Sequence, residues 1–142
     1  MKNTDLMTKL PIETSMKKLT ILLFSILISF NSYGEWLKVS KGIVSGDIYY
    51  VSTDTIKEHK GYVYWWDMID YLKPNKNGEM SVKVYNQGDC GVIRYKTLSG
   101  IFYKKPMGEG SGDTYNLPDE WNYPLPDNTD GIVLKFVCNY LK

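Results

Sequence analysis

The chain has 142 residues, a net charge of +1 at neutral pH and aromatic side chains at 14% of positions. With charge so near zero, no strongly basic stretch and Arg94 as the only arginine, the sequence argues against nucleic acid and against phosphate recognition. Its length suits one small domain with a modest core once a leader is set aside.

Residues 1–15 carry no recognisable pattern and read as an extension ahead of a second start at Met16. The stretch "MKKLTILLFSILISFNSYGEW" (16–36) joins Lys17 and Lys18 to an apolar run over 19–30, then sets Ser32 and Gly34 around Tyr33. A positive patch, a short apolar run and a small-x-small site form a secretory signal, here with cleavage near Gly34. A membrane span needs about 20 apolar residues, more than this run supplies. The organisation expected is therefore 1–15 extension, 16–34 signal peptide and 35–142 a single domain. Loss of the leader removes four lysines and two acids, which turns the net charge from +1 to about −1. The product is expected in the periplasm or outside the cell, with no stable membrane anchor after cleavage.

The remaining chain reads as strands first and a helix last. "EWLKVS" (35–40) alternates, and "DIYYVST" (47–53) is rich in β-branched and aromatic residues. "YVYWWDMIDYL" (62–72) is the strongest strand signal. Tyr62, Tyr64, Trp66 and Met68 should face one way, and Val63, Trp65, Asp67, Ile69 and Tyr71 the other. Apolar residues on both faces predict a central strand with the helix on one side. Asn77-Gly78 in "PNKNGEM" (74–80) tolerates positive φ and predicts a turn, so that "SVKVYNQ" (81–87) pairs back as a hairpin. "CGVIRYKTL" (90–98) and "GIFYKK" (100–105) read as two further strands parted by Ser99-Gly100. Residues 106–126, with repeated proline and glycine, read as a long loop packed by Tyr115, Trp121 and Tyr123. After it, Asn128 or Thr129 can cap a helix on which Ile132, Val133, Phe136, Val137 and Tyr140 recur at helical spacing. Gly131 should weaken that helix by about 1 kcal/mol relative to alanine. The fold class expected is α+β: a mainly antiparallel sheet of about six short strands, a C-terminal helix packed on one face, and one disulfide.

The disulfide expectation rests on Cys90 and Cys138, the only two cysteines. In an oxidising compartment an even count reads as a bridge. Closing a loop of that length would stabilise the domain by roughly 4 kcal/mol in the chain-entropy description. Two buried thiols are the alternative. A zinc site is disfavoured, because two cysteines and the single histidine, His59, are too few and wrongly spaced.

No catalytic set emerges. His59 lies in the hydrophilic "KEHKG" turn, where a solvated role is the ordinary one, and any Ser-His-Asp or Cys-His chemistry would depend on it alone. Asp67 and Asp70 are the best-placed carboxylates for hydrolysis, yet residues three apart on a strand point to opposite faces. "GEGSGD" (108–113) lacks the lysine and helix start of a phosphate cradle. No cofactor and no metal are expected.

The aromatic excess is the informative feature, because tyrosine and tryptophan favour interfaces. The candidate binding surface comprises Tyr64, Trp65 and Trp66 on the central strand, with Tyr95, Tyr103, Lys104 and Lys105 downstream. The bland alternatives are that the 106–126 loop covers the aromatic strand, and that the lysines only guard a sheet edge against aggregation.

The ordered pieces "EWLKVS", "YYVSTDTI" (49–56), "IDYLKP" (69–74), Ser81, "DC" (89–90) with Arg94, "MGEG" (107–110), Trp121 and "FVC" (136–138) span nearly all of the chain after the leader. Together they resemble the surface-adhesin protein E-like family of Gram-negative envelope proteins. The resemblance implies an exported α+β domain with a disulfide at Cys90 and Cys138, and a non-catalytic binding role. The expected partner is a protein, either host matrix or an envelope component. The adhesin type carries a lipid on a cysteine at the cleavage point, and "SYGEW" has none, so a lipid anchor is not implied here. Two other readings stand beside this one: a periplasmic protein that stacks a glycan or haem on the Tyr64–Trp66 region, and a carboxylate-based hydrolase. An exposed edge strand also leaves homodimerisation open.

Overall fold

In a computed structural model, residues 15–21 and 36–142 are described. Residues 15–21 are helical, with exposed side chains. The rest of the leader, the expected cleavage near Gly34 and the 1–14 stretch lie outside the described residues. Among the described residues no helix is long and apolar enough to cross a membrane.

The domain from residue 36 onward is a meander of antiparallel strands closed by a helix. The strands are β1 (Trp36–Lys41), β2 (Ile48–Ser52), β3 (Lys57–His59), β4 (Tyr62–Asp70), β5 (Ser81–Asp89), β6 (Arg94–Tyr103) and β7 (Gly112–Tyr115), and the helix is Thr129–Tyr140. The spatial order is β1-β2-β4-β5-β6-β7, with β3 on the same edge of β4 as β2. Consecutive pairing through short turns is what alternating segments separated by Asn, Gly and Pro produce. Four of the expected strands appear nearly as the sequence predicts.

The remaining strands differ from expectation for identifiable reasons. The 90–98 and 100–105 segments are one strand, β6, and residues 90–93 form the turn before it. Ser99-Gly100 is not a turn. The register passes from Tyr85↔Ser99 to Asn86↔Thr97, so Leu98 is an extra residue in a β-bulge. Gly100 is small because Leu117 packs on it: an added Cβ would stand 3.1 Å from the Leu117 methyl. "KEHKG" is not only a turn, since Lys57–His59 pair with Tyr62–Tyr64 as β3. The 106–126 stretch is not all loop. Gly112–Tyr115 pair with Gly100–Tyr103 as the edge strand β7. Trp121 packs, whereas Tyr123 stands 64% exposed.

The core lies between one face of the sheet and the helix. Val51, Ile56, Val63 and Trp65 meet Val133, Leu134 and Val137. The buried stripe of the helix is Gly131, Val133, Leu134 and Val137, whereas Ile132 and Tyr140 are exposed. The stripe is thus rotated by about one position from the expected one, and Leu134 replaces Ile132 at its centre. Asn128 caps the helix by accepting from the Gly131 N–H at 2.8 Å. Gly131 is required by packing: an added Cβ would come within 2.0 Å of the Leu125 carbonyl oxygen. Gly88 lets the helix approach the sheet, because an added Cβ would meet Leu134 and Trp65 at 2.9 Å. Cys90, just beyond β5, is bonded to Cys138 on the core side of the helix.

Candidate functional site

Strand alternation sorts the aromatic residues onto two surfaces. Trp65 and Asp67 face the helix. Tyr62, Tyr64, Trp66 and Met68 face away from it, on the second face of the sheet. There Trp66 pairs directly with Tyr85 of β5, and the rings stack with centroids 5.2 Å apart. Tyr64 reaches Tyr85 diagonally, also stacked, at 6.1 Å. Cross-strand aromatic contacts of this kind each contribute up to about 1 kcal/mol to the sheet. The three rings remain half-buried, which leaves their outer edges to water.

Both ends of this row are covered, and both carry cations. At one end the turn 105–108 folds over the paired Asp70 and Ser81. Ser81 Oγ donates to the Lys105 carbonyl at 2.6 Å and accepts from the Gly108 N–H at 2.8 Å, and the Met107 N–H donates to Asp70 at 2.7 Å. Lys83 Nζ lies 5.7 Å from the Trp36 ring and 5.1 Å from the Tyr103 ring. At the other end Trp121 packs on Tyr62 at 5.9 Å, with Arg94 over its ring at 4.1 Å and Lys96 at 5.2 Å. Arg94 is placed by the β5–β6 turn, in which Asp89 accepts from the N–H groups of Gly91 and Val92 and from Arg94 Nε. The Val92 N–H, foremost among these donors, holds the Asp89 carboxyl below the usual carboxylate range.

The helix-facing side holds a different arrangement. Asp67 is 8% exposed. Its Oδ2 accepts from Trp65 Nε1 at 3.1 Å and from Asn86 Nδ2 at 2.9 Å, and Asn86 Oδ1 in turn accepts from Thr97 Oγ1 at 2.9 Å. Asp67 Oδ1 is buried without a hydrogen-bond partner. Burial pushes this carboxyl up to about 7, and the charge of Asp130 on the helix adds to the shift, against the donors Trp65 and Asn86. A cavity of about 110 Å³ adjoins it.

The seven expected surface residues therefore divide. Tyr64 and Trp66 come together on the open face. Trp65 does not share their surface: it is core, 1% exposed, because adjacent strand residues point oppositely. Tyr95 is also on the helix side, in line with Gly88 and Val63. Tyr103 lies buried under Lys83, Lys104 Nζ donates to the Asn77 carbonyl at 2.6 Å, and Lys105 is exposed at the start of the covering turn. Tyr85, Trp36, Lys83 and Arg94 are not among the surface residues expected from sequence, although Arg94 belongs to the pieces that carry the family resemblance. Of these, Tyr85 was within reach, since the Asn77-Gly78 hairpin sets β5 against β4.

A sequence profile of the family described as Surface-adhesin protein E matches residues 36–139. The chain belongs to the surface-adhesin protein E family. The match runs from the first strand to the last turn of the helix, so the whole sheet, the covering turn and both cysteines lie within the adhesin E domain. No curated protein matches the chain by sequence. Among solved structures, crystal form II of Haemophilus influenzae protein E is similar at 18% identity and a TM-score of 0.59, covering 79% of this chain and 94% of that one. Another structure of Haemophilus influenzae protein E aligns at 17% identity and a TM-score of 0.57, covering 78% and 89%. Protein E from non-typeable Haemophilus influenzae aligns at 14% and 0.55, covering 78% and 79%. At these identities the likeness is one of fold.

Proposed function

We propose that this adhesin E domain is an exported, non-catalytic binding module of the cell envelope, which engages a protein partner through the sheet face opposite the helix. The observation that carries the reading is the stacked row Tyr64–Tyr85–Trp66, half-buried and flanked by Arg94, Lys96 and Lys83. Aromatic rings held rigid by cross-strand stacking lose little entropy on contact, and tyrosine, tryptophan and arginine dominate the energetics of protein interfaces. Membership of an adhesin family supports a binding role, and a host-matrix or envelope protein is the partner class that fits it. The same face argues against carboxylate hydrolysis, because Asp70 is engaged by the Met107 N–H and Asp67 lies on the other side of the sheet.

The test is surface-plasmon binding of the processed domain to immobilised extracellular-matrix proteins and to solubilised envelope proteins, with Trp66→Ala and Tyr85→Ala alongside. A partner recognised by this face should lose at least about tenfold in affinity with either variant, as expected of interface hot spots. Binding unchanged in both variants, or no retention of any protein at micromolar concentration, would overturn the proposal.

A further inference from the structure

The cavity between helix and sheet lies on the opposite side of the sheet from the aromatic row, and its chemistry is distinct. Its polar lining is Asp67, Asn86, Thr97, Tyr49, Tyr95 and, from the first turn of the helix, Asp130. No lysine or arginine lines it. The two fixed donors next to Asp67, the Trp65 indole and the Asn86 amide, both go to Oδ2. Oδ1 is thus a buried acceptor with nothing to accept from. Leaving such a group unsatisfied is costly, which makes a native example a mark of something that completes it.

The surroundings specify what completes it. Asp130 is a second carboxylate at the site, to which the Tyr95 hydroxyl donates, and burial followed by the Asp130 charge raises Tyr49 to about 12 and raises Tyr95 as well, so both phenols keep their protons. The site therefore holds the negative potential of two carboxylates, and none of its donors reaches Asp67 Oδ1. Ile69, Val84 and Val133 supply an apolar wall beside it. A volume of about 110 Å³ admits a few heavy atoms. An ammonium group carries three donors, no acceptor and one positive charge, and its short alkyl stem suits the apolar wall. Aromatic walls add cation–π attraction.

We infer that this cavity is a binding site for a primary ammonium group, with Asp67 Oδ1 and the Asp130 carboxylate as its acceptors. The ammonium comes either from a free small alkylamine or from a lysine side chain of a partner, and the chemistry of recognition is shared. Binding requires Asp67 to be ionised, so occupancy by the cation expels the proton that the empty site retains near neutrality. The groups that bear on this titration are Tyr49 from β2, Tyr95 from β6 and Asp130 from the helix, and β5 faces it only with neutral Asn86.

The experiment follows the Trp65 indole N–H, which is bonded to Asp67, by nitrogen-15 NMR of the processed domain titrated with n-propylammonium chloride. Sodium chloride at equal ionic strength is the reference. A saturable shift of that resonance is expected, with an apparent affinity about tenfold weaker at pH 6 than at pH 8, as a carboxyl titrating near 7 requires. Asp67→Asn should abolish the shift. Asp130→Asn changes an exposed residue and leaves the core intact, and it should weaken binding at least about threefold. Nα-acetyl-lysine methylamide in place of propylammonium distinguishes the sources: binding by both supports a lysine of a partner, and binding by propylammonium alone supports a free amine. A shift no larger than that with sodium, or a saturable shift that survives Asp67→Asn or is the same at pH 6 and pH 8, would overturn the inference and leave the cavity to water.

Discussion

Replacing Asp67 by asparagine should make the domain more stable at neutral and alkaline pH. The amide has nearly the shape of the carboxyl. Its oxygen can take the place of Oδ2, accepting from Trp65 Nε1 and Asn86 Nδ2, while its uncharged NH₂ replaces the unpartnered Oδ1 and removes the repulsion by Asp130. The magnitude follows from linkage. The unfolded chain releases the Asp67 proton near its ordinary 3.8, and the folded domain holds it until about 7. Below pH 3.8 both states are protonated and the carboxyl costs nothing. Between these values the folded state binds the extra proton, so stability falls as pH rises, by about 1.4 kcal/mol per unit. Above 7 both states are ionised and the full difference, about 4 kcal/mol, persists. Urea unfolding at pH 4 to 8, with the disulfide intact, should give curves for the two proteins that nearly coincide at pH 4 and separate by up to about 4 kcal/mol at pH 8. Urea is the right denaturant here, because guanidinium is itself a cation. Stability profiles that run parallel from pH 4 to 8 would refute the reasoning, since they would mean that Asp67 ionises equally readily in both states.

Other consequences are open to measurement. Cys138→Ser opens a loop of 48 residues and should cost about 4 kcal/mol, lowering the melting temperature clearly; an unchanged melt would show that the link does not constrain the unfolded chain. Gly88→Ala drives a methyl against Leu134 and Trp65, each 2.9 Å from the added carbon, and should cost about 1–3 kcal/mol in urea unfolding. An unaltered midpoint there would mean that the helix can lift from the sheet without loss.

The sequence made the centre of the fold legible and blurred its edges, for reasons that particular residues show. Alternation in 62–72 was strong enough to give both faces of β4, and Asn77-Gly78 fixed its pairing with β5. Alternation fails at a bulge. Tyr95 and Tyr103 are an even number of residues apart, which in a regular strand puts them on one face. Leu98 shifts the parity between them, so Tyr95 goes under the helix and Tyr103 under Lys83. No local property of "KTLSG" announces the bulge, because Ser-Gly serves a turn and a bulge equally well. The edge strands β3 and β7 are three and four residues long and wholly exposed, so they carry no hydrophobic signal. The helix stripe was displaced because Ile132 and Tyr140 are apolar in composition and exposed in place. The open face was half legible: Tyr64 and Trp66 were visible from one strand, whereas Tyr85, Trp36 and Trp121 join them only through pairings between segments far apart in sequence.

The two cysteines and the buried aspartate bear on each other through the helix. A domain of this size has only about 5–15 kcal/mol of stability in total. Ionised Asp67 takes about 4 kcal/mol from it at neutral pH, on the scale of the pKa displacement. The bridge contributes about the same amount in the opposite sense. The geometry makes the pairing physical as well as numerical. Asp130 opens the helix at the cavity, Leu134 closes over Gly88 one turn later, and Cys138 pins the next turn to the end of β5. A helix held only by apolar contacts could relieve the buried charge by tilting away and admitting water. Tied at Cys138 and packed on Gly88, it cannot tilt without straining the link or opening the core. The disulfide should therefore do more than restrict the unfolded chain: reducing it is expected to bring the Asp67 titration down from about 7 toward its ordinary value, and a titration unchanged by reduction would refute the coupling.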